Sequence, residues 1–92
     1  MDREYIEKKY LKLGNELPAM YPDLDFENHC YWRISLDNVV GNKWDRVIDK
    51  PAYKNLSLDQ LQRVVDLMKS YKTDIEVLKE NNKRSLEYRG KK

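Results

Sequence analysis

The chain is poor in cysteine, histidine and glycine, and each shortage removes a class of function. Cys30 is its single cysteine, so no disulfide can form within the chain and a disulfide-stapled secreted scaffold is excluded. His29 is the single histidine. Beside Cys30 it leaves no further nitrogen or sulfur ligand for a zinc-type site, which needs about three or four. Helix neighbours point about 100° apart, so His29 and Cys30 cannot work together as base and nucleophile either. The three glycines, Gly14, Gly41 and Gly90, are isolated, which excludes a glycine-rich phosphate loop. Asp23, Asp25 and Glu27 alternate, but they lack the turn glycine and closing glutamate of a calcium loop and read as an acidic helix start. No catalytic residue, metal site or cofactor is expected. The chain reads as a non-enzyme.

Long apolar runs are missing too. No stretch approaches the ~20 residues that span a bilayer, and the opening MDREYIEKKY carries no apolar segment of signal-peptide type. The expectation is a cytoplasmic protein without a membrane partner. Net charge is also small, because 18 basic and 16 acidic residues leave +2. The two signs are interspersed, unlike a polybasic nucleic-acid tail or an acidic disordered segment. What the chain does have is apolar and aromatic material, including seven tyrosines and two tryptophans among its 92 residues. A chain of this size buries roughly two-thirds of its unfolded surface, enough for one modest core.

The periodicity is mostly helical. Ile6, Tyr10, Leu13 and Leu17 recur at spacings of four, three and four, one face of a helix over about residues 2–16. Asp2 and Glu4 at its start, with Lys8, Lys9 and Lys12 further on, complement the helix dipole. Gly14 is expected to weaken the last turn, and Pro18 with Pro22 to break the helix and open a connection.

Residues 25–40 admit two readings. Phe26, Cys30 and Ile34 share a helical line that Trp32, Leu36, Val39 and Val40 broaden. Cys30, Trp32, Ile34 and Leu36 also alternate with Tyr31, Arg33, Ser35 and Asp37, as in a strand. Length favours the helix, with Asp25 as N-cap and Gly41 at the C-cap. A short helix over 42–49 follows, capped by Asn42, carrying Trp44, Val47 and Ile48 and closed by Pro51.

Ser57–Gln60 and Thr73–Glu76 both match the capping box and open helices over 57–71 and 73–88. So few residues separate these two that an antiparallel hairpin is expected. Leu61, Val64, Val65, Met68, Ile75 and Leu78 are the expected core, with Ile34, Trp44, Val47 and Ile48 packed on them. The fold class is therefore all-α: a small single-domain bundle of four to five helices with a C-terminal helical hairpin.

Two surfaces stand out. His29, Arg33 and Asp37 lie at i, i+4 and i+8 on one helical line, where Arg33 can pair with Asp37. Tyr31 and Trp32 beside them are aromatic anchors of the kind that dominate interfaces. His29, Tyr31, Trp32 and Arg33 form the candidate partner-binding patch. The plainer reading is a solvated, salt-bridged face or an ion pair joining neighbouring helices.

The second surface is the basic end. From Lys79 to Lys92 six basic residues face only Glu80 and Glu87, and Lys79, Lys83, Arg84 and Arg89 are candidate phosphate contacts. The same cations would offset a helix dipole and fray in a polar tail over 84–92. No recognition-helix signature or base-stacking platform accompanies them. A small binding or regulatory protein with a protein partner is the leading expectation, and a nucleic-acid module is the alternative. A homodimer through unpaired helix faces is a third possibility.

The run His29-Cys30-Tyr31-Trp32-Arg33-Ile34-Ser35-Leu36-Asp37-Asn38, with Lys43-Trp44-Asp45, Pro51-Ala52-Tyr53-Lys54-Asn55 and Lys83-Arg84-Ser85-Leu86-Glu87-Tyr88-Arg89, resembles a family of short phage and prophage proteins. Some members of that family carry an N-acetyltransferase label. The acetyltransferase fold needs a central sheet and a glycine-containing loop for the coenzyme A pyrophosphate, and neither can be found in these residues. The resemblance implies a viral origin and a bacterial cytoplasm, and no chemistry.

Overall fold

The computed structural model describes residues 3–24 and 28–90, and for Asn28 and His29 the backbone alone. Its elements are α1 (Arg3–Met20), α2 (Asn28–Val40), a 3₁₀ turn (Trp44–Arg46), α3 (Ala52–Asn55), α4 (Leu58–Tyr71) and α5 (Ile75–Tyr88). The protein is an all-α bundle, with no strand among the described residues. α4 and α5 form the C-terminal hairpin, α1 lies on α4 and α2, and α2 also packs on α4 and α5.

That placement explains the ambiguity of residues 30–36. With three helices around it, α2 buries Tyr31, Ile34, Ser35, Leu36 and Asp37 together. A helix covered on several sides has no clean apolar stripe. The expected cap at Asp25, and Phe26 and Glu27 with it, lies outside the described residues.

α1 differs from expectation in running through Pro18 to Met20. A proline in the last turn forfeits one hydrogen bond, while Leu17 beside it is fully buried and Tyr21 N donates to Leu17 O at 3.2 Å. The helix continues six residues past Gly14, and the missing side chain there admits Trp32. A Cβ there would stand 2.0 Å from Trp32 Cε2, and Trp32 Nε1 donates to Tyr10 O at 3.0 Å.

The expected helix over 42–49 shrinks to the 3₁₀ turn, with Lys43 rather than Asn42 before it. Val47 is consequently 55% exposed instead of in the core. Pro51 opens α3 as its N-cap residue instead of closing a helix, a position near a helix start where a missing N–H costs nothing.

At α4 the Ser57 capping box forms in full. At α5 the cap moves one residue on: Asp74, not Thr73, accepts from Glu76 N and Val77 N at 3.0 and 3.3 Å. A carboxylate at that end also suits the helix dipole better than a hydroxyl. The core contains Ile34, Leu61, Val64, Val65, Met68 and Leu78 as expected, and the α1 face Ile6, Tyr10, Leu13 and Leu17 joins them. Ile75 is half-buried, and Trp44 and Ile48 pack against the core's edge.

Candidate functional site

Of the line His29–Arg33–Asp37, Arg33 and Asp37 enter a network joining α2 to the end of α5. Asp37 is fully buried and does not take Arg33 as its partner. Its Oδ2 accepts from Arg89 Nε at 2.7 Å and Ser85 Oγ at 2.6 Å. Its Oδ1 accepts from Arg89 Nη2 at 3.1 Å and from Trp44 N at 2.9 Å. The side chains of α2 reach α5 more readily than one another, because both helices are pressed together along this face. Arg33 donates to Ser85 Oγ at 3.0 Å and to Asn82 Oδ1 at 2.9 Å, so it meets Asp37 only through the serine. Of the two guanidinium groups in this network, Arg89 holds the carboxylate and Arg33 has neutral partners.

Arg33 also lines an open cleft of about 350 Å³. Tyr10 and Leu11 from α1, and Trp32 and Leu36 from α2, line it. Trp44 of the 3₁₀ turn and the Lys50–Tyr53 segment complete it. The rings are mutually braced. Tyr10 stacks with Trp32 (centroids 5.5 Å apart, planes at 17°) and with Tyr53 (5.5 Å, 28°). Burial pushes the Tyr10 hydroxyl well above the usual tyrosine range.

Each wall is tied from behind. Asp37 holds Trp44 by its backbone N–H. Arg3 Nη2 reaches from α1 to the carbonyls of Tyr53, Lys54 and Leu56 at 3.1, 3.2 and 2.7 Å, a cation on orphan carbonyls at a helix C-terminus. Asn55 Nδ2 donates to Asp49 O and Pro51 O, both at 3.0 Å. Rings of this kind, concave and apolar with few polar groups, are what ligand sites are made of.

The sequence-derived patch is divided by this geometry. Trp32 and Arg33 reach the cleft. Tyr31 is fully buried in the core and presents nothing to a partner's surface. The side chain of His29 lies outside the described residues.

At the basic end, Lys79, Lys83 and Arg84 are exposed along α5, whereas Arg89 is folded onto Asp37 with 18% of its side chain exposed. The frayed tail expected from residue 84 is instead helical to Tyr88, and residues 91–92 lie outside the described residues. The sequence marks Tyr10 and Leu36 only as apolar helix-face positions and gives Pro51–Tyr53 no site role. The single legible signal was the pairing of two tryptophans with nearby tyrosines in so small a domain.

Among the described residues, no group of three or more His, Cys, Asp or Glu could hold a metal ion, and no helix is long and apolar enough to cross a membrane. No family model, curated protein or solved structure matches the chain.

Proposed function

We propose that the protein is a non-catalytic binding module that docks a partner protein in the aromatic cleft between α1, α2 and α3. The observation that supports this reading is the stacked set Trp32, Tyr10 and Tyr53, joined by Trp44 around an open apolar hollow that Arg33 also lines. Tryptophan, tyrosine and arginine are the side chains that carry most interface energy when they sit in preformed pockets. The resemblance to short phage and prophage proteins, from about His29 to the end of the chain, would make the partner a host or phage macromolecule of a bacterial cytoplasm.

The test is affinity capture from bacterial lysate by immobilised wild type and by a Trp44→Ala variant checked to be folded. A partner retained by wild type and lost by the variant is the expected result. Equal retention by both would remove the cleft from the binding surface. A nucleic-acid role is the second reading, and it would rest on the exposed Lys79, Lys83 and Arg84. It predicts oligonucleotide binding that weakens steeply with salt.

A further inference from the structure

The cleft has a sign. Among the described residues its lining contains two charged side chains, Arg33 and Lys50, and no carboxylate. The Arg33 guanidinium is oriented by Ser85 Oγ and Asn82 Oδ1, both neutral, and the one carboxylate in that network is already gripped by Arg89. The network thus carries two positive charges against one negative, with the surplus at the cleft edge. Lys50, the second cation of the lining, is exposed. A cation beside apolar rings is poorly screened when an occupant displaces water, so an occupant bearing the opposite charge is favoured and one of like charge is rejected.

Size narrows the occupant further. About 350 Å³ lies near the lower end of ligand-pocket volumes, roughly 300–1,000 Å³. It admits one large side chain and its flanks, not a helix face. Single-stranded nucleic acid fits less well, because such sites combine a track of cations with a succession of stacking faces, whereas Tyr10 is 4% exposed and its ring is engaged by its neighbours.

We infer that the cleft recognises an acidic segment of a partner protein, one bulky apolar side chain flanked by carboxylates that meet Arg33 and Lys50. This rests on the cleft being the docking surface. The experiment is a titration of ¹⁵N-labelled protein, read at the indole N–H signals of Trp32 and Trp44, with three blocked pentapeptides. One has a central phenylalanine among glutamates, one a central phenylalanine among lysines, and one a central alanine among glutamates.

The glutamate–phenylalanine peptide should move both indoles and bind about tenfold more tightly than either control, since like-charge contacts are costly. Lys50→Gln, at an exposed position, should remove part of that preference, and Arg33→Gln more of it. Equal binding of the two phenylalanine peptides would overturn the acidic inference and leave the docking surface standing. No indole shift with any peptide would overturn both. Tighter binding of an oligothymidylate at the same indoles would assign the cleft to nucleic acid. Shifts produced by protein concentration alone would assign it to a second copy of the chain. Either result would overturn the inference.

Discussion

Arg89 grips Asp37 with two parallel hydrogen bonds, Nε to Oδ2 at 2.7 Å and Nη2 to Oδ1 at 3.1 Å, across 52 residues of sequence. A buried carboxylate is tolerable only when its lone pairs are filled and its charge matched. Here Ser85 Oγ and Trp44 N complete the set, so one side chain fastens the end of α5, the last turn of α2 and the first residue of the 3₁₀ turn.

Removing that carboxylate should be among the costliest single changes in the protein. Asp37→Ala leaves the Arg89 guanidinium, a serine hydroxyl and a backbone N–H without their acceptor, and breaking a buried pair this way typically costs ~3–5 kcal/mol. Arg89→Lys should recover little, because an ammonium cannot reproduce the bidentate fork. Urea denaturation of the two variants checks this. Wild-type stability of Arg89→Lys would show that the fork geometry contributes nothing.

Gly14→Ala should destabilise, against the ordinary rule for helices. Alanine is favoured over glycine in a helix interior by about 1 kcal/mol. The new methyl would stand 2.0 Å from Trp32 Cε2, and the indole is anchored by its bond to Tyr10 O, so it cannot simply swing away. Overpacking of this kind costs about 1–3 kcal/mol, and here it outweighs the propensity gain. A lower melting temperature is expected, and pairing the change with Trp32→Leu should restore much of the loss. A stabilised Gly14→Ala protein would mean that α1 and α2 separate freely.

Leu61 and Val47 should respond in opposite ways to truncation, although sequence periodicity placed both in the core. Leu61 is fully buried and Val47 is 55% exposed. Leu61→Ala should cost about 2–5 kcal/mol as a cavity-forming change, and Val47→Ala should stay within about 0.5 kcal/mol of wild type. Equal losses in chemical denaturation would put Val47 back in a buried helix.

The same pair marks how far the sequence could be read. α1 and α4 each bury a single face, so the spacing of Ile6, Tyr10, Leu13 and Leu17 and of Leu61, Val64, Val65 and Met68 was legible, as was the Ser57 capping box. α2 was not, because burial on several sides erases the period that distinguishes helix from strand. The site was less legible still. Arg33 and Asp37 have ideal i, i+4 spacing, yet each finds its partner on α5, a choice set by how two helices pack and invisible in either one's sequence. Gly14 read as a flaw until Trp32 was seen to occupy the space its side chain would fill. The cleft assembles residues from Tyr10 to Tyr53 whose proximity depends on the 3₁₀ turn and α3, the segment where local signals were weakest.

Stability should carry a pH signature from Glu7. Lys54 Nζ donates to its Oε1 at 2.9 Å and Arg3 Nε to its Oε2 at 3.0 Å. These contacts, the Lys54 hydrogen bond foremost, hold the Glu7 carboxyl below the usual carboxylate range, while the Glu7 hydrogen bond raises the Lys54 ammonium above its ordinary value. A carboxyl depressed in the folded state contributes stability above its unfolded pKa and loses it as pH falls through the folded value. A raised lysine contributes below its unfolded pKa and loses it as pH rises through the folded value. The stability gap between wild type and Glu7→Gln should therefore be full from about pH 5 to pH 10, and should close toward more acid and more alkaline conditions. Thermal unfolding of both proteins across a pH series measures it, and a gap independent of pH would show that the charge on Glu7 is not what matters. Because Arg3 also holds the carbonyls of Tyr53, Lys54 and Leu56, loss of its Glu7 contact should loosen α3.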